Sequence, residues 1–114
     1  MPGKKRAGPK MTIPVQLVLR AMLAEPTREM YGLQVCQAAG LPSGTIHPIL
    51  ARLEGLGWAE SRWEDAVPRE EGRPRRRYYK LTEDGAERAR IALAQATVSV
   101  TALGLRPRPA GGLA

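Results

Sequence analysis

The strongest periodic signal in this 114-residue sequence is an apolar stripe between residues 46 and 56. At about 100° per residue, the five aliphatic side chains of this segment fall within an arc of roughly 120° on a helix. The opposite face carries small or compact residues, among them Gly44, Pro48, Ala51 and Gly55. The segment is therefore predicted to be a helix that buries one side and can approach another surface closely with the other. The side chains of the stripe are Ile46, Ile49, Leu50, Leu53 and Leu56.

Capping residues and helix breakers predict two helices before this one. Thr12 is a preferred capping residue and Pro14 is tolerated in a first turn, so a first helix is expected to extend to about Ala24. Thr27 is expected to cap a short second helix, which Gly40 terminates because glycine is the usual residue just beyond a helix end.

The amphipathic helix is expected to be capped by Ser43 and to end before Gly57, where the period of the sequence changes. Residues 58–64 and 76–81 have the pattern of two strands, and the polar segment 65–75 between them is typical of a long basic hairpin loop. Together these elements predict a mainly α fold with a small two-stranded β-hairpin.

The last predicted helix covers residues 82–103, with Thr82 as its cap. Apolar residues recur on it at alternating spacings of 3 and 4, which is the heptad rhythm of a two-stranded seam. This helix is therefore predicted to pair with a second copy of the chain. The predicted dimerisation residues are Ala89, Leu93, Ala96, Val100 and Leu103.

Two helices joined by a short glycine-containing turn, here at Gly40, are the signature of a helix-turn-helix, and the hairpin that follows adds a wing. In such an arrangement the second helix of the pair, here predicted as residues 42–56, enters the major groove of DNA, and the basic wing, here predicted as residues 66–77, contacts the backbone or the minor groove. The sequence thus predicts four regions. They are a disordered basic arm (residues 1–11), a winged helix-turn-helix DNA-binding domain (12–81), a C-terminal dimerisation helix (82–103) and a flexible tail (104–114).

The charge of the chain agrees with such a partner without identifying it. A formal net charge of +7 favours a polyanion, because clustered Lys and Arg lower the cost of approaching phosphates. Most of the basic residues are arginines, which is also the composition of proteins from GC-rich genomes. Composition alone therefore leaves a nucleic-acid partner open.

Two longer motifs make the interpretation more specific. The stretches GTIHPILARLEGLGWAESRWE (44–64) and GRPRRRYYKLTEDG (72–85) resemble the PadR family of bacterial regulators, and Tyr31 stands where that family begins its second helix. The resemblance covers roughly residues 12–90. It implies a homodimeric winged-helix repressor that binds an inverted-repeat operator, with a small-molecule effector as a further partner. His47 departs from the family pattern, which commonly has Tyr before the proline.

The candidate DNA contacts come from the helices, the wing and the arm. Arg52 is suited to a guanine edge or to a phosphate. Since neighbouring residues on a strand point to opposite faces, at most one of Arg76 and Arg77 is expected to face DNA. The arm is equally well interpreted as a solubilising tail. The predicted contacts are Tyr31, Ser43, Thr45, His47 and Arg52 in the helices, Arg73, Arg75, Arg76 and Arg77 in the wing, and Lys4, Lys5 and Arg6 in the arm.

Other classes of protein are disfavoured. Cys36 is the single cysteine, which excludes an internal disulfide or a multi-cysteine zinc site and indicates a buried thiol. No apolar run approaches the ~20 residues of a membrane span, so a cytoplasmic protein is expected. The sequence has one histidine and no catalytic motif, which predicts neither an enzyme nor a metal or cofactor site. The remaining alternatives are a winged-helix protein-interaction module and a non-specific architectural DNA-binding protein.

Overall fold

The computed structural model of the protein describes residues 8–67 and 69–102, and the side chains among these as far as residue 97. This part of the chain contains four α-helices and a three-stranded antiparallel sheet, so the predicted fold class is confirmed. None of these helices is long and apolar enough to span a membrane. The elements are α1 (Ile13–Leu23), β1 (Met30–Tyr31), α2 (Gly32–Ala39), α3 (Ser43–Gly55), β2 (Ala59–Trp63), β3 (Arg77–Leu81) and α4 (Glu83–Ala102).

Helix α1 begins as the sequence predicts. The hydroxyl of Thr12 accepts a hydrogen bond from the amide of Val15 at 3.4 Å, and Pro14 lies in the first turn, where its missing amide has no helical partner to lose. The helix ends at Leu23, and Ala24 follows as its C-cap. One face of α1 is buried in the core through Val15, Val18, Leu19 and Met22.

The start of α2 differs from the prediction, because Thr27 does not cap it. The chain first forms β1, in which Met30 pairs with Tyr79 of β3, and the helix begins only at Gly32. The side-chain oxygen of Gln34 accepts a hydrogen bond from the Tyr31 amide at 3.1 Å, which is half of a capping box. Pairing with a strand far along the chain thus outweighs the local capping preference of threonine.

The turn between α2 and α3 is close to the predicted one. Gly40 has a φ of 72°, a left-handed conformation that glycine adopts without strain, and it ends α2 as expected. The prediction that Ser43 caps α3 is wrong, since Pro42 occupies the N-cap and Ser43 is the first helical residue. The extended backbone of Pro42 already suits this position, and its carbonyl accepts a hydrogen bond from the Ile46 amide at 3.1 Å.

The sheet has the strand order β1-β3-β2. The predicted hairpin of β2 and β3 is present, with Ala59 opposite Leu81 and Trp63 opposite Arg77. The structure adds β1 at the other edge of β3. We call residues 64–76, which join β2 to β3, the wing.

Helix α4 is attached to the rest of the fold through Thr82 and Trp58. The hydroxyl of Thr82 accepts a hydrogen bond from the Gly85 amide at 2.8 Å, which confirms the predicted cap, and donates to the Gly57 carbonyl at 2.9 Å. A side chain at Gly85 would overlap the Trp58 carbonyl, so only glycine lets the helix start this close to the end of α3.

The predicted arm of residues 1–11 is too long at its inner end. Pro9 is buried, and Met11 packs against the hydrophobic core. Gly8 lies against the indole of Trp58, whose ring atoms would be 3.1 Å from a Cβ at that position. Residues 8–11 therefore belong to the folded domain, because a large buried aromatic side chain gives them a surface to pack on.

Candidate nucleic-acid interface

Helix α3 separates into a buried and an open side, as its periodicity predicts. Ile46, Leu50 and Leu53 are fully buried beneath it. A Cβ at Gly44 or Gly55 would meet no atom within 4 Å, so no other element in the described part of the chain covers the opposite side at these two positions. The residues exposed there are Ser43, Gly44, His47, Pro48, Ala51, Arg52 and Gly55, with Thr45 half-buried beside them. We call this surface the bare face of α3.

The base of the wing is bonded to α3. The hydroxyl of Ser61 on β2 donates a hydrogen bond to Glu54 at 2.6 Å, and Nε of Arg77 on β3 donates to the same hydroxyl at 3.0 Å. The guanidinium of Arg77 also lies 3.5 Å from the Glu54 carboxylate and 5.1 Å from the ring centroid of Trp63. These contacts orient the hairpin relative to the bare face.

Arg76 and Arg77 point to opposite faces of the sheet, as the alternation of a strand requires. Arg76 stacks on Tyr31, with its guanidinium carbon 4.1 Å from the ring centroid, and Tyr31 in turn meets Tyr78 edge to face at 5.8 Å. Arg62 lies over Tyr78. Cations and rings therefore alternate across this side of the sheet, and the half-buried guanidinium of Arg76 is held by a ring rather than by a carboxylate.

A groove of about 480 Å³ separates the start of α2 from the wing, with His47 of α3 on its wall. Trp63 and Leu33 also line it, and both are more than half exposed. His47 fits closely over Gly32, since a Cβ there would lie 2.9 Å from its imidazole carbon Cε1. The predicted contacts Tyr31, His47, Arg76 and Arg77 are thus brought together around one groove.

Arg73 is ion-paired with two carboxylates. Its Nη1 and Nη2 atoms donate to the two oxygens of Glu64 at 2.8 and 3.0 Å, and its Nε donates to Glu71 at 2.9 Å. The amide of Arg76 donates to Glu64 as well, at 3.0 Å. Hydrogen bonds from Arg73, and then the one from the Arg76 amide, lower the pKa of the Glu64 carboxyl to about 2. Arg75, by contrast, is exposed and has no partner among the described residues.

A second groove, of about 210 Å³, brings Lys10 and Arg52 together beside Pro48. Both cations are exposed and have no ion-pair partner in the described part of the chain. Sequence reasoning missed Lys10 as a site residue because it assigned this position to a disordered arm. Met11, an apolar residue directly before the Thr12 cap, is the signal that the domain begins earlier. Lys4, Lys5 and Arg6 lie outside the described residues.

An ion pair that the sequence did not indicate ties the hairpin to β1. Nε and Nη2 of Arg62 donate to the two oxygens of Glu29 at 2.7 and 2.8 Å. These hydrogen bonds lower the pKa of the Glu29 carboxyl and raise that of Arg62. The two residues are too far apart in the chain for any local pattern to connect them.

The predicted dimerisation seam on α4 requires a correction. Ala89 and Leu93 are buried in the core of the same chain, so their heptad spacing reflects packing within one protomer. Ala96 is half-buried and Ile91 is 50% exposed. The side chain of Val100 and the whole of Leu103 lie outside the described residues.

Cys36, predicted to be buried, is half-buried against the core. No group of three or more His, Cys, Asp or Glu side chains that could hold a metal ion occurs among the described residues.

The chain matches a known protein family. A family model described as the transcriptional regulator PadR-like family matches residues 21–91, which is more than half of the chain. The matched segment contains α2, α3, the whole hairpin with its wing, and the start of α4. No curated protein matches the sequence.

Several solved structures share the fold. A PadR-like transcriptional regulator from Bacillus cereus is 20% identical with a TM-score of 0.57, and the match covers 80% of this chain and 86% of that one. A PadR family transcription regulator from Clostridium difficile is 20% identical with a TM-score of 0.58, covering 78% and 92%. BpsR from Bordetella bronchiseptica, whose DNA binding is regulated by 6-hydroxynicotinic acid, is 22% identical with a TM-score of 0.58, covering 86% and 70%. At these identities the similarity shows the fold.

Proposed function

Because the chain belongs to the PadR-like family of transcriptional regulators, we propose that it binds specific duplex DNA as a homodimer and represses transcription. In this proposal α3 lies in the major groove with its bare face toward the bases, and the wing lies on the neighbouring backbone. The family consists of transcriptional regulators, so the proposal includes no catalytic role.

The observation that carries the proposal is the open side of α3. A recognition helix has to approach base edges closely, and the small side chains of Gly44, Pro48, Ala51 and Gly55 permit that approach. Arg52 has no ion-pair partner in the described residues, so its guanidinium is available to a guanine edge or a phosphate. Ser43 and Thr45 lie at the start of the helix, where hydroxyl groups commonly bind backbone phosphates.

Two unpaired cations of the described residues lie outside the bare face. Lys10 shares a groove with Arg52, and Arg75 is exposed on the wing next to Arg76, which lines the groove at His47. We assign Lys10 and Arg75 to phosphates, because an exposed cation that no carboxylate neutralises gains most from a polyanion. Arg76 and His47 line the groove between the start of α2 and the wing. Lys4, Lys5 and Arg6 are also proposed to contact DNA.

Dimerisation is proposed through the apolar surface of α1 and α4. Ile13 is 66% exposed and Leu17 lies one turn further along α1, while Ile91 is exposed on α4. Ala96, Val100 and Leu103 are also proposed to take part in dimerisation. A two-fold dimer presents two copies of α3, which is why an inverted-repeat operator is expected.

A small-molecule effector completes the proposal. The neighbour BpsR has its DNA binding regulated by 6-hydroxynicotinic acid, a small aromatic acid. Of the grooves described in this chain, one of about 480 Å³ lies between residues 8–11 and α4, beside Trp58 and Ile91. It adjoins the proposed dimer surface, so an aromatic ligand bound there would contact the elements that set the distance between the two copies of α3.

A matched pair of alanine substitutions tests the DNA-binding proposal. Ala51→Glu places a carboxylate in the middle of the bare face, whereas Ala94→Glu makes the same change on the exposed side of α4. On a duplex from the region upstream of the protein's own gene, we expect A51E to lose at least about a hundredfold in affinity and A94E only a few-fold. Equal losses in the two variants, or equal binding of the wild type to a scrambled duplex, would contradict specific recognition by α3.

The dimer is tested by Ile91→Glu, measured by analytical ultracentrifugation. We expect this variant to sediment as a monomer, because a charge at the centre of an apolar interface loses its hydration without gaining a partner. Arg90→Glu, on the neighbouring exposed position, is the control and should remain a dimer. A dimer that survives Ile91→Glu would place the interface elsewhere.

A further inference from the structure

We infer that Glu64, an acidic residue on the wing, is a positioning residue that increases affinity for DNA by holding the wing in its binding shape. This inference rests on the DNA-binding function proposed above. It is the opposite of what charge alone predicts, because a carboxylate near the phosphate backbone should weaken binding.

Glu64, the first residue of the wing, is hydrogen-bonded to Arg76, the last. Its backbone amide donates to the Arg76 carbonyl at 2.7 Å, and its carboxylate accepts the Arg76 amide at 3.0 Å, so it bonds both backbone groups of that residue. The same carboxylate takes the guanidinium of Arg73 in a two-pronged pair. Arg73 also donates hydrogen bonds to the Glu71 carboxylate and to the Pro74 carbonyl, at 2.9 and 3.2 Å. We call this set of bonds the Glu64 clasp.

The net charge of the wing does not account for attraction to DNA. Residues 64–76 contain four arginines and four acidic residues, so the segment is formally neutral. A neutral loop attracts a phosphate only if its positive groups are directed to one place and its negative groups are occupied elsewhere. The arrangement of the charges therefore matters more here than their number.

The clasp produces such an arrangement. It pairs two carboxylates, those of Glu64 and Glu71, with the single guanidinium of Arg73. Arg75, between Arg73 and the bonded backbone of Arg76, has no partner among the described residues and is exposed. Because the backbone on both sides of Arg75 is fixed, its side chain starts from a defined position and loses less freedom on binding.

Glu64 cannot be replaced by glutamine without loss. A glutamine has one acceptor oxygen, whereas the clasp uses both carboxylate oxygens on Arg73 and one of them also on the Arg76 amide. A charge-assisted, two-pronged pair is stronger and more directional than the bonds that one uncharged amide oxygen could keep. The substitution should therefore release Arg73 and loosen the wing while leaving the core unchanged.

The experiment compares Glu64→Gln with Glu70→Gln on a duplex from the upstream region of the gene. Glu70 lies in the same loop, is exposed and has no partner in the described part of the chain, so both variants remove one negative charge from the wing. We expect E64Q to bind about tenfold more weakly than wild type and E70Q as tightly or up to about twofold more tightly. If E64Q binds as tightly as E70Q or more tightly, the inference is overturned.

A variant with unchanged net charge separates the geometry of the clasp from the charge of the wing. Arg73→Lys keeps the net charge of the protein but replaces the planar guanidinium by an ammonium group, which cannot form the two-pronged pair with both oxygens of Glu64. We expect R73K to bind several-fold more weakly than wild type, and the double variant E64Q/R73K to be no weaker than E64Q alone. Additive losses would show that the two residues act separately and would overturn the clasp.

Hydrogen exchange at the Arg76 amide separates this inference from the proposed function. In the free protein this amide should exchange at least tenfold faster in E64Q than in wild type or E70Q, because its acceptor is weakened. A wild-type protein that binds no duplex would refute the proposed function and the role of Glu64 in DNA affinity together. A wild type that binds DNA, with unchanged exchange and unchanged affinity in E64Q, would refute only the clasp.

Discussion

Helix α3 and the wing present positive charge in two different ways. On α3 the position of Arg52 is set by the helix backbone, which is itself held by fully buried side chains, and the guanidinium is unpaired among the described residues. On the wing and at the start of β3, Arg73, Arg76 and Arg77 are held by carboxylates and aromatic rings, and the exposed Arg75 lies between them in the chain. A regular helix orients its side chains through its core, whereas a long loop needs side-chain bonds of its own.

The largest effect that follows from this comparison is on stability. Leu50→Ala beneath α3 should lower the free energy of unfolding by about 2–5 kcal/mol, because it removes a fully buried side chain and leaves a cavity. Arg52→Ala, on the open side of the same helix, should change the free energy of unfolding by no more than about 0.5 kcal/mol. Urea unfolding followed by circular dichroism measures both. Equal effects would mean that the two sides of α3 are not distinct.

The next effect separates base contact from phosphate contact. Arg52→Ala should cost about 1–3 kcal/mol of binding free energy on the preferred duplex and much less on a scrambled one, if this guanidinium reads a base. Arg75→Ala should weaken binding to both duplexes by a similar factor and reduce the salt dependence by about one phosphate contact. Titrations on the two duplexes at several salt concentrations distinguish these patterns. A uniform loss for Arg52→Ala would make it a backbone contact like Arg75.

Whether the sequence alone predicts a feature of α3 or of the wing depends on how close in the chain the interacting residues are. The two sides of α3 follow from the spacing of Ile46, Leu50 and Leu53, because helical periodicity is a local property. The pairing of Glu64 with Arg73 does not follow from the sequence. The wing contains several acidic residues and several arginines, and their number does not show which of them form a pair. Lys10 was missed for a related reason, because the domain begins before α1 through the packing of Gly8 on Trp58, a contact between residues far apart in the chain.

The seam predicted on α4 shows another limit of local patterns. An apolar heptad rhythm indicates that Ala89 and Leu93 are buried, and they are. It does not indicate whether the covering surface belongs to the same chain or to a second copy. Here the core of the same protomer covers them, and the strand β1 likewise exists only because β3 lies beside it.

The smallest predicted effect is on the pH dependence of the wing. The pKa of Glu64 is lowered from 4.5 to about 2 in the folded protein, chiefly by the hydrogen bonds from Arg73. Its contribution to stability is therefore fully present above about pH 4.5 and is lost as the pH falls toward 2. The difference in melting temperature between wild type and Glu64→Gln should be constant from pH 5 to 8 and shrink below pH 4.5. A difference that persists at pH 2 would contradict the assigned cause.

Protection of guanine N7 atoms tests the central claim, that the bare face of α3 reads DNA, most directly. The N7 atom lies in the major groove, so dimethyl sulfate footprinting of a duplex recovered from bound genomic DNA reports whether a helix enters there. The account predicts two protected patches related by an inverted repeat and separated by one helical turn or a multiple of it, with both patches lost in Ala51→Glu. A protein that binds the same duplex tightly while leaving every guanine N7 equally reactive would contradict the account.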